Sequence, residues 1–131
     1  MGGSLPKKPF TVYVVDDDDS ICRALKRLLK AFGFQALTFE SAEDFLESTA
    51  DLEKGCLVLD INLPGMTGLD LQEKIASRGA NCPVIIITAH DNPQWREQAR
   101  KAGAVAYLKK PFGEQLLLNA ISLCRQQTEE E

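Results

Sequence analysis

The sequence predicts a single α/β domain in which a parallel sheet carries helices on both faces. Two observations point to it. Apolar, β-prone runs alternate with amphipathic stretches five times along 131 residues, and the connections between them are short. Parallel strands joined by helical crossovers satisfy both, and right-handed crossovers place the helices on either side of the sheet. A third observation concerns chemistry: polar and charged residues gather just after the strands, where open α/β sheets carry their sites.

The elements follow in order. FTVYVV (10–15) is the first strand. A helix is expected over 19–32, with Ile21, Leu25, Leu28, Leu29 and Phe32 as its apolar stripe and Asp19 or Ser20 as its cap. Gly33 ends it. QALTF (35–39) is a second strand, and Ser41 is placed to cap the next helix with Asp44 at its third position. CLVLDI (56–61) is nearly apolar throughout, as a strand covered on both faces should be. The loop LPGMTG leads to a helix over 68–78. PVIIIT (83–88) is the strongest β signal in the chain. A helix over 93–102 ends at Gly103, a fifth strand covers 105–109, and a last helix spans 113–126. Residues 1–8 read as a flexible leader, 9–126 as the domain, and 127–131 as a tail or linker.

Composition narrows the function. Hydrophobic residues make up 44% and charged residues 26%, the mixture of an ordinary globular domain. Fifteen Lys and Arg against nineteen Asp and Glu give a net charge of −4, which argues against direct nucleic-acid binding by this segment and suits a cation site. Four dispersed cysteines and one histidine make a zinc site improbable. No apolar run approaches the roughly 18–20 residues that cross a bilayer, so no membrane partner is expected. A reducing cytoplasm is the expected compartment.

The strand ends carry a constellation. Asp16 and Asp17 follow the first strand, Asp60 ends the third, Thr88 ends the fourth, and Lys110 follows the fifth. Any one of these has an ordinary explanation as a turn, cap or solvated loop residue. All five at one edge of one sheet point to a site.

VVDDDDS, LVLDINLPGMTGLDL, VIIITAH and AGAVAYLKKPF resemble the signature segments of the receiver domain of two-component response regulators. The resemblance covers residues 10–126, and the spacings agree: 28 residues from Asp60 to Thr88 and 50 from Asp60 to Lys110. It implies a flavodoxin-like (βα)5 fold with strand order 2-1-3-4-5. It implies that Asp60 accepts a phosphoryl group from a sensor histidine kinase, with Lys110 and Thr88 assisting. Magnesium, or manganese in its place, would be held by Asp16, Asp17, Asp60 and the backbone carbonyl of Asn62. Thr88 and Tyr107 would form the switch, and Asn62 and His90 would tune the lifetime of the acyl phosphate. A cis peptide before Pro111 is implied as well. Phosphorylation would reshape the face of helix four, strand five and helix five, with homodimerisation there a possible consequence. Weak self-phosphotransfer and autophosphatase activity are implied, rather than those of a conventional enzyme. AGAVAYLKKPF leans towards regulators with a C-terminal helix-turn-helix DNA-binding domain, hence towards control of transcription. Two rivals differ in chemistry. A receiver-like interaction module would lack the acidic pair, the acceptor or the lysine. A haloacid-dehalogenase-like phosphatase would need a second aspartate where Asn62 stands.

Overall fold

The computed structural model describes residues 10–48, 55–79 and 82–129. The expected leader therefore lies outside the described residues. Ten elements alternate strictly: β1 (Thr11–Val15), α1 (Asp19–Ala31), β2 (Gln35–Phe39), α2 (Ala42–Ser48), β3 (Gly55–Asp60), α3 (Gly68–Ser77), β4 (Val84–Thr88), α4 (Pro93–Lys101), β5 (Ala106–Lys109) and α5 (Glu114–Glu129). The five strands form one sheet in the order β2-β1-β3-β4-β5, and every pairing is parallel. The doubly wound (βα)5 fold expected from the sequence is the fold observed.

Alternation along the strands sorts the core into two layers. Val12, Val14, Val58, Ile85 and Ile87 pack with Leu25 and Leu29 of α1 and with Leu117, Ile121 and Cys124 of α5. Tyr13, Val15, Leu57, Leu59 and Ile86 pack on the other side with Phe45, Leu71, Ile75 and Ala99. The three central strands are buried along their whole length. They have no solvated face, which is why they read as continuous apolar runs.

Three local expectations are corrected. Asp18, not Asp19 or Ser20, caps α1: its carboxylate accepts from the backbone N–H of Ser20 at 2.9 Å and from the Ser20 hydroxyl at 2.6 Å. Asp19 is instead the first helical residue, where its charge suits the helix dipole. Phe32 leaves the apolar stripe and stands 57% exposed, because it is the C-cap of α1, beyond the last regular turn. Gly33 beyond it takes φ of +84°, the left-handed conformation that stops the helix. α5 does not end near residue 126 but continues through Glu129, so the expected tail begins as helix. Ser41 does accept from the Asp44 amide, at 3.0 Å.

Within the α2 side of the core, Phe45 is fully buried and meets the rings of Tyr13 and Phe39 edge-on, at centroid distances of 5.8 and 5.3 Å. Phe45→Ala removes both ring contacts and leaves a cavity, an expected cost of about 3–5 kcal/mol. Phe32→Ala, at a solvated position, costs under about 1 kcal/mol. Urea-denaturation midpoints of the two variants check the contrast.

Candidate functional site at the carboxyl edge of the sheet

Parallel register delivers the carboxyl ends of β1, β3, β4 and β5 to one edge. Val15 pairs with Leu59, Asp60 with Ile87, and Thr88 with Lys109. Asp16, Asp60 and Thr88 thus leave adjacent strands side by side. Asp16 is fully buried, Asp60 is 3% exposed, and Asp17 lies open to solvent. One carboxylate oxygen from each of the three lies within 4.8 Å of the other two.

Burying that much like charge requires specific partners. Asp16 has two. Its Oδ1 accepts from the Asp18 amide at 2.9 Å, and its Oδ2 accepts from Lys110 Nζ at 2.7 Å. The same ammonium lies 3.6 Å from Asp60 Oδ2, so one cation serves two carboxylates. Lys110 comes from the loop after β5, whose course is set by its own amide bonding to the Thr88 carbonyl at 2.7 Å and by a cis peptide between Lys110 and Pro111.

Asp60 is the less satisfied of the buried pair. Beyond Lys110, its near partner is the Asn62 amide, at 3.4 Å and therefore a weak bond. Burial first, and then the Asp16 charge, push its carboxyl from 3.8 up to about 6, against the opposing pull of Lys110. Three carboxylates against one ammonium leave an excess of negative charge around an all-oxygen donor set. A hard divalent cation such as magnesium fits that set.

The backbone around Asp60 is also tight. A Cβ on Gly68 would stand 2.2 Å from the Asp60 carbonyl oxygen and 2.9 Å from Ile61 Cα. Only glycine lets α3 start directly against the end of β3. Thr67 and Asp70 cap that start reciprocally, the Asp70 amide donating to the Thr67 hydroxyl and the Thr67 amide to the Asp70 carboxylate. Gly68 was not singled out from the sequence; its signal was a glycine closing LPGMTG at the first helical position.

Of the remaining expected residues, Thr88 is buried at the site edge, but its hydroxyl is engaged. It donates to the His90 carbonyl at 3.0 Å and accepts from the His90 amide at 3.2 Å. Asn62 and His90 have exposed side chains. Tyr107 stands away from the carboxylates, paired in register with Ile86 and half-buried on the α4 side of the sheet. Lys109 points outward and is exposed. All four cysteines are free thiols, and burial raises Cys22 to about 11 and Cys82 to about 12, so neither is a ready thiolate. Among the described residues no helix is long and apolar enough to cross a membrane.

Residues 12–122 match the family model described as "Response regulator receiver domain". The response regulator protein TmoT of Ectopseudomonas mendocina is 42% identical over 110 residues, which cover 84% of this chain and 50% of TmoT. The transcriptional regulatory protein TdiR of Thauera aromatica is 40% identical over 112 residues, 86% of this chain and 49% of TdiR. The solved structure of the response regulator StyR superposes with a TM-score of 0.88 at 44% identity, covering 94% of this chain and 62% of that one. The chain spans about half the length of the curated relatives it matches.

The raised carboxyl of Asp60 gives the site a pH signature in metal-free buffer. The folded state holds the proton more tightly than the unfolded chain does. This group's contribution to stability is therefore complete below about pH 4 and is lost as pH rises through about 6. Asp60→Asn removes the charge, so it should stabilise the protein by about 1–2 kcal/mol at pH 7.5. That gain should shrink towards zero at pH 4.5. Urea titrations of both proteins in EDTA measure it.

Proposed function

The chain belongs to the response regulator receiver domain family, and we propose that it is a switch thrown by phosphorylation of Asp60. One observation carries the choice of residue. Among the described residues, Asp60 is the single carboxylate that ends a central strand, is nearly buried, and sits within reach of both Lys110 and the Asp16–Asp17 pair. The donor is a phosphohistidine on a sensor histidine kinase. An Asp60 oxygen attacks phosphorus as the P–N bond breaks, the electron pair leaves with the imidazole, and an acyl phosphate forms.

Bringing an anionic phosphoryl group to this place is the difficulty. Two unit charges about 4 Å apart repel by about 4 kcal/mol at an effective dielectric near 20. Lys110 meets part of that demand, being already between Asp16 and Asp60. Asp16, Asp17, Asp60 and the Asn62 carbonyl would hold magnesium or manganese, which supplies countercharge to the transferring oxygens when bound. Thr88 offers its hydroxyl to the new phosphate, which requires it to leave His90. Asn62 and His90 flank the site from the loops after β3 and β4, and tune hydrolysis of the acyl phosphate by controlling water access. The domain thereby acts as a regulator with weak self-phosphotransfer and slow autodephosphorylation.

The output face is α4–β5–α5. Leu116 and Leu123 stand 56% and 51% exposed on α5, one heptad apart, and offer an apolar surface for a second copy of the chain. Transcription is the proposed output, on the strength of a relative named as a transcriptional regulatory protein and of the half-length match. Phosphotransfer from a histidine kinase suits a cytoplasmic setting.

Incubation with acetyl phosphate and Mg²⁺, followed by intact-mass measurement, should add one hydroxylamine-labile phosphoryl group. Asp60→Asn should abolish the gain; a gain that survives this substitution, or none in the unaltered protein, overturns the assignment. Asp17→Ala should weaken Mg²⁺ binding in calorimetric titration, and unchanged affinity would remove Asp17 from the ligand set.

A further inference from the structure

The loop between β4 and α4 is tied down twice. At one end, Thr88 holds His90 through both its backbone groups. At the other, Asn92 caps α4, its side chain accepting from the Gln94 amide at 2.8 Å. Between them, Asp91 receives Arg96: one guanidinium nitrogen lies 3.3 Å from each carboxylate oxygen. That guanidinium also lies over the ring of Tyr107, 4.6 Å from its centroid. The Tyr107 hydroxyl is buried without a hydrogen-bond partner; the Asn92 backbone is near but outside bonding geometry. With only the Asn92 backbone beside its hydroxyl, the ring is positioned mainly by packing and by the cation above it.

We propose that Asp91 and Arg96 form a clasp that couples the β4–α4 loop to Tyr107. Arg96 is a positioning residue that favours the resting arrangement. The inference rests on the receiver reading above and extends it to two residues which that reading does not use. Releasing Thr88 from His90 frees the segment carrying Asp91. As Asp91 moves, the guanidinium loses its anchor and its place over the ring, and Tyr107 becomes free to shift. The pair is partly exposed, with side-chain accessibilities of 53% for Arg96 and 42% for Asp91. Each contact is therefore individually weak, which suits a device that must open. A strong buried pair would fix the loop; this one biases it.

The test uses the full chain, its two tyrosines labelled as 3-fluorotyrosine. Tyr13, on the same face of the sheet but three strands away on β1, serves as internal reference. Asp91→Asn and Arg96→Gln should each move or broaden the Tyr107 fluorine resonance and leave that of Tyr13 in place. Each should raise the initial rate of phosphoryl incorporation from acetyl phosphate roughly three- to tenfold, the bias expected of one weak ion pair with one cation–π contact. The double variant should do no more than the larger single, because the two residues act as one unit. Asp91→Glu should restore the wild-type spectrum and rate. Unchanged Tyr107 resonances, unchanged rates, or effects that multiply in the double variant overturn the clasp. If the unaltered protein takes no phosphoryl group, the switch reading falls, and the fluorine spectra alone decide whether the clasp exists.

Discussion

Three carboxylates converge at the end of a parallel sheet, and the rest of the molecule is arranged around their mutual repulsion. Asp16 is fully buried, and its two oxygens are satisfied by the Asp18 amide and the Lys110 ammonium. Asp60 is nearly as buried and far less satisfied, and the result is a carboxyl pushed up to about 6. The imbalance is local and one-sided. A cation or a phosphoryl chemistry that brings its own cation relieves it, whereas an apolar ligand would not. The site is a region of the fold held at a cost in stability, which is common where groups are arranged for function instead of packing.

The scaffold that holds this charge is rigid for an identifiable reason. β1, β3 and β4 are buried from end to end, so a shift in any one of them would disturb core on both faces of the sheet. Gly68 brings α3 hard against the Asp60 backbone, and Lys110 reaches back from the loop after β5 to join the acids of β1 and β3. The polar contacts above this layer, at the end of β4 and on α4, are short-range and separate from the apolar core. A hydroxyl at Thr88 and a guanidinium at Arg96 can exchange partners without exposing any apolar core. On the proposed switch reading, that separation would let a change at Asp60 reach α4 and β5 while the sheet stays as it is.

Much of this was legible in the chain itself. The period-two and continuous apolar runs marked all five strands, and the 3.6-residue stripes marked the helices, because burial leaves those periods in the sequence. The acidic pair, Asp60, Thr88 and Lys110 could be picked out because the parallel strands of an α/β fold send every carboxyl end to one edge. Helix ends were less legible. Asp18, Asp19 and Ser20 are all good capping residues, and only the backbone conformation at Asp18, extended at φ −86° and ψ 107°, selects among them. Phe32 fits the helical stripe by spacing, but the chain leaves the helix at that residue and the side chain goes to solvent.

What the sequence determined by itself was the set of elements, their α/β alternation and which residues end the strands, since these follow from local periodicity and chain order. What only the tertiary structure decided was the pairing of those residues. Lys110 bonds Asp16 at 2.7 Å and stands off Asp60 at 3.6 Å; Thr88 is engaged with His90; Gly68 presses on the Asp60 carbonyl; Arg96 lies on Tyr107. Lys110 reaches acids 94 and 50 residues away, and the shorter-range contacts too turn on differences of a few tenths of an ångström. Such distances are set by how the two core layers pack, and no local pattern encodes them.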